Sequence, residues 1–115
     1  MKVGKFQNAD DVAMSEKLIR AEFPYGEGYR FFPARYRHEP EFSTNFMWPV
    51  RVYVLSGSCG FSRKSGAAVN EHVEVVEGFF VDLNPGRYYL QVGESGVMII
   101  NMYHIPDLID RQFSQ

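Results

Sequence analysis

Three histidines, His38, His72 and His104, and one cysteine, Cys59, are the residues of this chain best suited to metal or nucleophile chemistry. A divalent metal centre needs three or four N/O/S ligands converging on one point. No two of the histidines stand at i,i+2 or i,i+4 spacing, so no strand or helix presents a ready-made pair. A carboxylate such as Glu41 could join His38 and His72 in a non-standard site. Separate hydrogen-bonded imidazoles are the simpler reading, and neither a metal nor another cofactor is expected. Cys59 lacks a flanking His or cationic setting that would hold a thiolate. A single cysteine forms no internal disulfide, which fits a reducing compartment. Asp82 and Glu94 are isolated acids, and no Ser-His-Asp order, phosphate loop or dinucleotide fingerprint appears.

A different chemistry is suggested by Arg30, Arg35 and Arg37 interleaved with Phe31, Phe32 and Tyr36. Arginines beside aromatic rings hold single-stranded nucleic acids on sheets. Here Glu22, Glu27, Glu39 and Glu41 flank the cluster and offset its charge. The whole chain carries 12 Lys+Arg against 14 Asp+Glu, a net charge of -2, so no basic excess exists to drive phosphate-backbone binding. No nucleic-acid partner is expected. Arg35 or Arg37 could instead grip the carboxylate or phosphate of a small acid through a bidentate fork.

These residues must be positioned by a chain of 115 residues, the size of one domain. Its 45% apolar and 23% charged content is that of a globular protein. The apolar runs fall short of the ~18 residues that span a bilayer, and the start, MKVGKFQNADD, has no apolar stretch of a secretory signal. The expectation is a cytoplasmic protein with no membrane partner.

Ten Gly and six Pro break the chain into short β-rich runs, with 16% aromatic content, the pattern of an all-β sandwich or barrel. Asn8 is expected to cap a short helix over residues 9–14, with Asp11 three positions on. Lys17–Phe23 either continues that helix or forms a strand, ended by Pro24. Tyr29–His38 reads as a strand, with Pro33 marking an edge or bulge. Glu39–Pro49 is a loop or irregular strand. Val50–Leu55 alternates, with Val50, Val52 and Val54 on one face. Ser56-Gly57-Ser58 is expected to turn the chain into Cys59–Arg63 as a hairpin. Glu71–Glu77, Phe79–Leu83, Arg87–Val92 and Val97–Tyr103 follow as strands, with a turn at Asn84-Pro85-Gly86 and a joint at Gly93–Gly96. Pro106 opens a short C-terminal helix with Leu108, Ile109 and Phe113 as its apolar stripe.

At VRVYVLSGS and GFFVDLNPGRYYLQV the sequence resembles the cupin superfamily of small jelly-roll barrels, over roughly residues 28–103. Gly57 fits the glycine that ends the first cupin motif. The Glu seven positions earlier falls on Val50, and the upstream His pair falls near Ser43, Thr44 and Asn45. In the second motif Gly78 and Gly86 fit. The proline is displaced by one, to Pro85, and the His is replaced by Tyr89. A second register places the His pair at Tyr36 and His38. The turns resemble the family, but its metal-ligand set does not carry over.

The resemblance implies an all-β, single jelly-roll (cupin-like) barrel whose ligand-bearing positions point inward. On that plan Val50, Val52 and Val54 line the interior, together with Tyr36, His38, Arg87, Tyr89 and Gln91. With Trp48 these last five form the expected small-molecule-binding set, an apolar cavity with sparse polar groups. A barrel simply filled by Tyr and Phe is the alternative. A metal-independent isomerase or epimerase in the same barrel would use His38 or His72 as base and Tyr89 as acid. A structural or dimerising protein is the third reading, and a homodimer is expected.

Overall fold

The computed structural model describes residues 1–8, 11–23 and 27–105. The C-terminal helix expected from Pro106 lies outside the described residues. Seven strands and one helix follow in the order β1 (Lys2–Lys5), α1 (Val12–Glu22), β2 (Tyr29–Tyr36), β3 (Glu39–Phe46), β4 (Val50–Ser65), β5 (Ala68–Val76), β6 (Phe79–Leu83) and β7 (Gly86–His104).

Two long strands organise the fold. β4 and β7 pair antiparallel, from Val50↔Tyr103 to Ser62↔Tyr89, and both bend midway. The first half of β4 and the second half of β7 lie in a five-stranded layer of order β1-β6-β4-β7-β2. Their other halves pair with β5 and β3 to form the second layer. The result is an all-β, cupin-like jelly roll.

The expected hairpin at Ser56-Gly57-Ser58 is therefore corrected: β4 runs straight through it. Gly57 has φ +78, and a Cβ on it would lie 2.0 Å from the Gly96 carbonyl oxygen. The glycine bends the strand and lets β7 cross closely, where a reverse turn was expected. Gly93–Gly96 is likewise a bulge within β7, because the register passes from Val92↔Cys59 to Val97↔Gly57. The helix expectation also shifts. Asp11, not Asn8, is the N-cap, its Oδ1 accepting from the Met14 N–H at 2.7 Å. Asn8 instead ties the helix to the sheet: its Nδ2 donates to the Leu55 carbonyl at 3.0 Å and its Oδ1 accepts from Ser15 Oγ at 2.9 Å.

Alternation along the strands builds two cores. Val50, Val52, Val54, Phe61, Val75, Val81, Leu83, Tyr88, Leu90 and Ile99 meet between the layers. On the outer face of the five-stranded layer, Ile19 of α1 packs with Phe31, Tyr53, Leu55, Ile100 and Met102. Each fully buried large side chain contributes roughly 1.5–3 kcal/mol. Arg51, on that outer face, is held bidentate by Asp82 at 2.7 and 3.0 Å and lies 3.8 Å over the Phe80 ring.

Candidate functional site

The expected inward set separates into three places. Tyr36 does face inward, packing with Ala34 against the inner core and lying 5.5 Å from the Phe42 ring. Arg87, Tyr89 and Gln91 do not. Tyr88, Leu90 and Val92 are the buried members of that strand, and Arg87 and Gln91 are exposed. The displaced Pro85 accounts for the error, since a slip of one residue moves every side chain of a strand to the opposite face. Tyr88 thus occupies the interior, its hydroxyl donating to the Asn84 carbonyl at 2.8 Å and its ring 5.8 Å from Phe46. His38 lies beyond the end of β2, exposed. Its Nδ1–H donates to the Val92 carbonyl at 2.8 Å, because a carbonyl can only accept.

His72 and Tyr89 flank Ser62 on the outer face of the second layer. Ser62 Oγ lies 2.5 Å from His72 Nδ1, and His72 Nε2 lies 2.7 Å from Glu74 Oε1. Gly60 makes room for this chain, since a Cβ there would stand 2.6 Å from Glu74 Oε1. A serine, an imidazole and a carboxylate in series match the order of a nucleophile relay. Here the serine is 6% exposed and sits mid-ladder, paired on both sides, where backbone N–H groups serve the sheet. No oxyanion cradle is built, and the chain reads as a surface hydrogen-bond network. On the other side of Ser62, the Lys64 ammonium lies 4.5 Å from the Tyr89 ring centroid and 2.6 Å from Glu41. His38, His72 and Glu41 thus each serve separate partners. Among the described residues no three His, Cys, Asp or Glu side chains gather as a metal site. Cys59 is buried, and desolvation, with Glu74 nearby, pushes its thiol up to about 12, which removes thiolate chemistry at neutral pH.

A cluster of aromatic and polar side chains gathers where β2, β3 and β7 meet. β2 and β3 pair with different halves of β7, β2 in one layer and β3 in the other. Phe32, Ala34 and Tyr36 share one face of β2, and Phe42, Thr44 and Phe46 share one face of β3, with Tyr36 and Phe42 meeting across the two. β7 supplies Ile99, Asn101 and Tyr103. Phe32 is 53% and Trp48 45% exposed, and both meet Tyr103 edge-on, at 5.6 and 6.4 Å. Burial raises the Tyr103 phenol, and the charge interaction with Tyr36 adds to the rise. Asn101 is the residue that sequence reasoning missed. Its Oδ1 is buried with no hydrogen-bond partner. The signal was a lone amide on the apolar side of β7, between Ile99 and Tyr103. The polar groups of this cluster are an amide and hydroxyls in place of imidazoles and carboxylates.

A jelly roll with these features has a known counterpart. The fold is similar to that of a DUF861 family protein from Thermotoga maritima. The two agree with a TM-score of 0.54 at 17% sequence identity, over 90% of this chain and 97% of the other. At that identity the likeness carries the cupin-type fold alone. No protein-family profile and no curated protein matches the sequence. No described helix is long and apolar enough to cross a membrane.

Proposed function

We propose that the chain is a cupin-like small-molecule-binding domain whose ligand enters a mouth between β2 and β3. The buried, unpartnered Oδ1 of Asn101 carries this reading. A buried acceptor without a donor costs about 1–3 kcal/mol, and such groups are rare enough to call for an explanation. A ligand N–H or O–H removes that cost. The exposed Phe32 and Trp48 rings and the half-buried Tyr103 supply an apolar flank, so the ligand combines a flat or apolar body with one hydrogen-bond donor. On this reading Tyr36 and Trp48, both in the set expected from sequence, line the mouth, with Tyr103 edge-on to Trp48.

A thermal-shift screen of small amides, alcohols and heteroaromatic molecules tests the proposal. Ligands should raise the melting temperature of the wild type and leave Asn101→Leu unmoved. Equal shifts in both proteins would refute the assignment of Asn101.

A further inference from the structure

Two arginines with no acidic partner among the described residues come together at the end of β2. Arg20 and Arg51 are each held by a carboxylate, Glu16 and Asp82. Arg35 and Arg37 have no acidic partner among the described residues. Arg35 Nη2 lies 4.0 Å from the Met98 sulfur. Both arginines line one cleft of about 440 Å³, which they share with Tyr36, His38, Glu94 and Ser95.

The fold explains why the cleft exists. β2 ends at Tyr36, and Arg37 and His38 are the two residues that carry the chain across to β3. Directly alongside, β7 bulges, with residues 93–96 unmatched on β4. Gly96 lets the two backbones close up, since a Cβ on it would lie 2.8 Å from the Tyr36 carbonyl oxygen. The end of β2 is thereby fixed against the bulge. The His38 ring is pinned through Nδ1 to the Val92 carbonyl, which leaves Nε2 unengaged. Glu94 lines the same cleft and forms no ion pair with either arginine.

We propose that this cleft, which shares Tyr36 with the mouth at Asn101 but is lined by different polar groups, binds a small oxyanion, the carboxylate or phosphate of a small molecule. Guanidinium forks match two-oxygen anions bidentately and are weakly hydrated enough to hold them at a partly open site. Two guanidinium forks without an acidic partner among the described residues, two positions apart on one extended segment, form a donor-rich wall with the Ser95 hydroxyl. Glu94 opposes the anion and sets a ceiling on its affinity.

The test is titration of the intact protein at low ionic strength with inorganic phosphate and, separately, with succinate, followed by amide NMR shifts. Saturable shifts confined to residues around 35–38 and 94–97 are expected with at least one of the two, and the stronger probe identifies the anion class. Arg35→Gln and Arg37→Gln should each weaken binding about tenfold or more, and the double variant should abolish it. Glu94→Gln should tighten it several-fold, and Arg87→Gln should leave it unchanged. Because these side chains are exposed, the variants keep the fold, which unchanged amide spectra elsewhere will verify. No saturable shift with either probe, or equal affinity in the double variant, would overturn the proposal.

Discussion

Asn101 and Phe32 are cross-strand neighbours in the β2–β7 ladder, so an unpaired buried oxygen stands beside an aromatic ring that is half in solvent. A sheet built only for stability would place an apolar residue at position 101, between Ile99 and Tyr103. Replacing the amide with a hydrocarbon removes the unpaired acceptor while filling nearly the same volume. Asn101→Leu is therefore expected to stabilise the protein by about 1 kcal/mol, read as a higher urea midpoint with an unchanged slope. A destabilised variant would mean that the amide has a structural partner.

The inner and outer assignments of β7 make a sharp pair of expectations. Tyr88 is 1% exposed, and Tyr88→Ala should cost roughly 3–5 kcal/mol, as for other buried aromatics. Tyr89 faces outward under the Lys64 ammonium, and Tyr89→Ala should cost no more than about 1 kcal/mol. Chemical denaturation of the two variants checks the order, and a reversed order would restore the inward placement of Tyr89.

Much of this architecture was readable before the fold was seen, and the failures have physical causes. The shared face of Val50, Val52 and Val54 followed from strict alternation, and its inward direction from the cupin resemblance. The strand Phe79–Leu83 was read with its observed bounds, and the strand expected over Tyr29–His38 ends two residues earlier, at Tyr36. The bend at Gly57 was mistaken for a reversal because a positive-φ glycine between small polar residues serves either purpose. The strand β1 went unseen because an edge segment with Lys2 and Lys5 carries no apolar period. It pairs by register with β6, Gly4 lying opposite Phe80, and that contact is long-range. Of the expected inward set, Tyr36 does face the inner core, whereas Arg87, Tyr89 and Gln91 were assigned to the wrong face by a one-residue slip. Asn101 was passed over because one amide in an apolar run looks like noise until its burial is known.

The bend itself is testable. Gly57→Ala adds both a positive-φ penalty and a clash with the Gly96 carbonyl, and should cost more than about 2 kcal/mol. Gly66 also has positive φ, at +61, but open space around it. Gly66→Ala should cost only about 1–2 kcal/mol. Equilibrium unfolding separates the two, and equal costs would mean that β4 and β7 do not cross closely at Gly57.

Cys59 gives a pH dependence with a definite sign. Burial holds its thiol up to about 12 in the folded protein, against an ordinary value of 9.0. Between those values the unfolded chain has lost the proton and the native chain has kept it. Stability therefore falls as pH rises above 9, by up to about 1.4 kcal/mol per pH unit from this group. Urea unfolding at pH 8, 9 and 10 should show a steeper decline for the wild type than for Cys59→Ala. Parallel declines would show that the thiol titrates alike in both states.

The most direct test of small-molecule binding at the sandwich mouth is NMR mapping of a screening hit on isotope-labelled protein. The side-chain amide of Asn101 and the ring signals of Phe32, Tyr103 and Trp48 should shift together and saturate, with the outer-face residues His72 and Tyr89 unmoved. Hits that map to the outer face, or that leave the Asn101 amide where it was, would contradict the account.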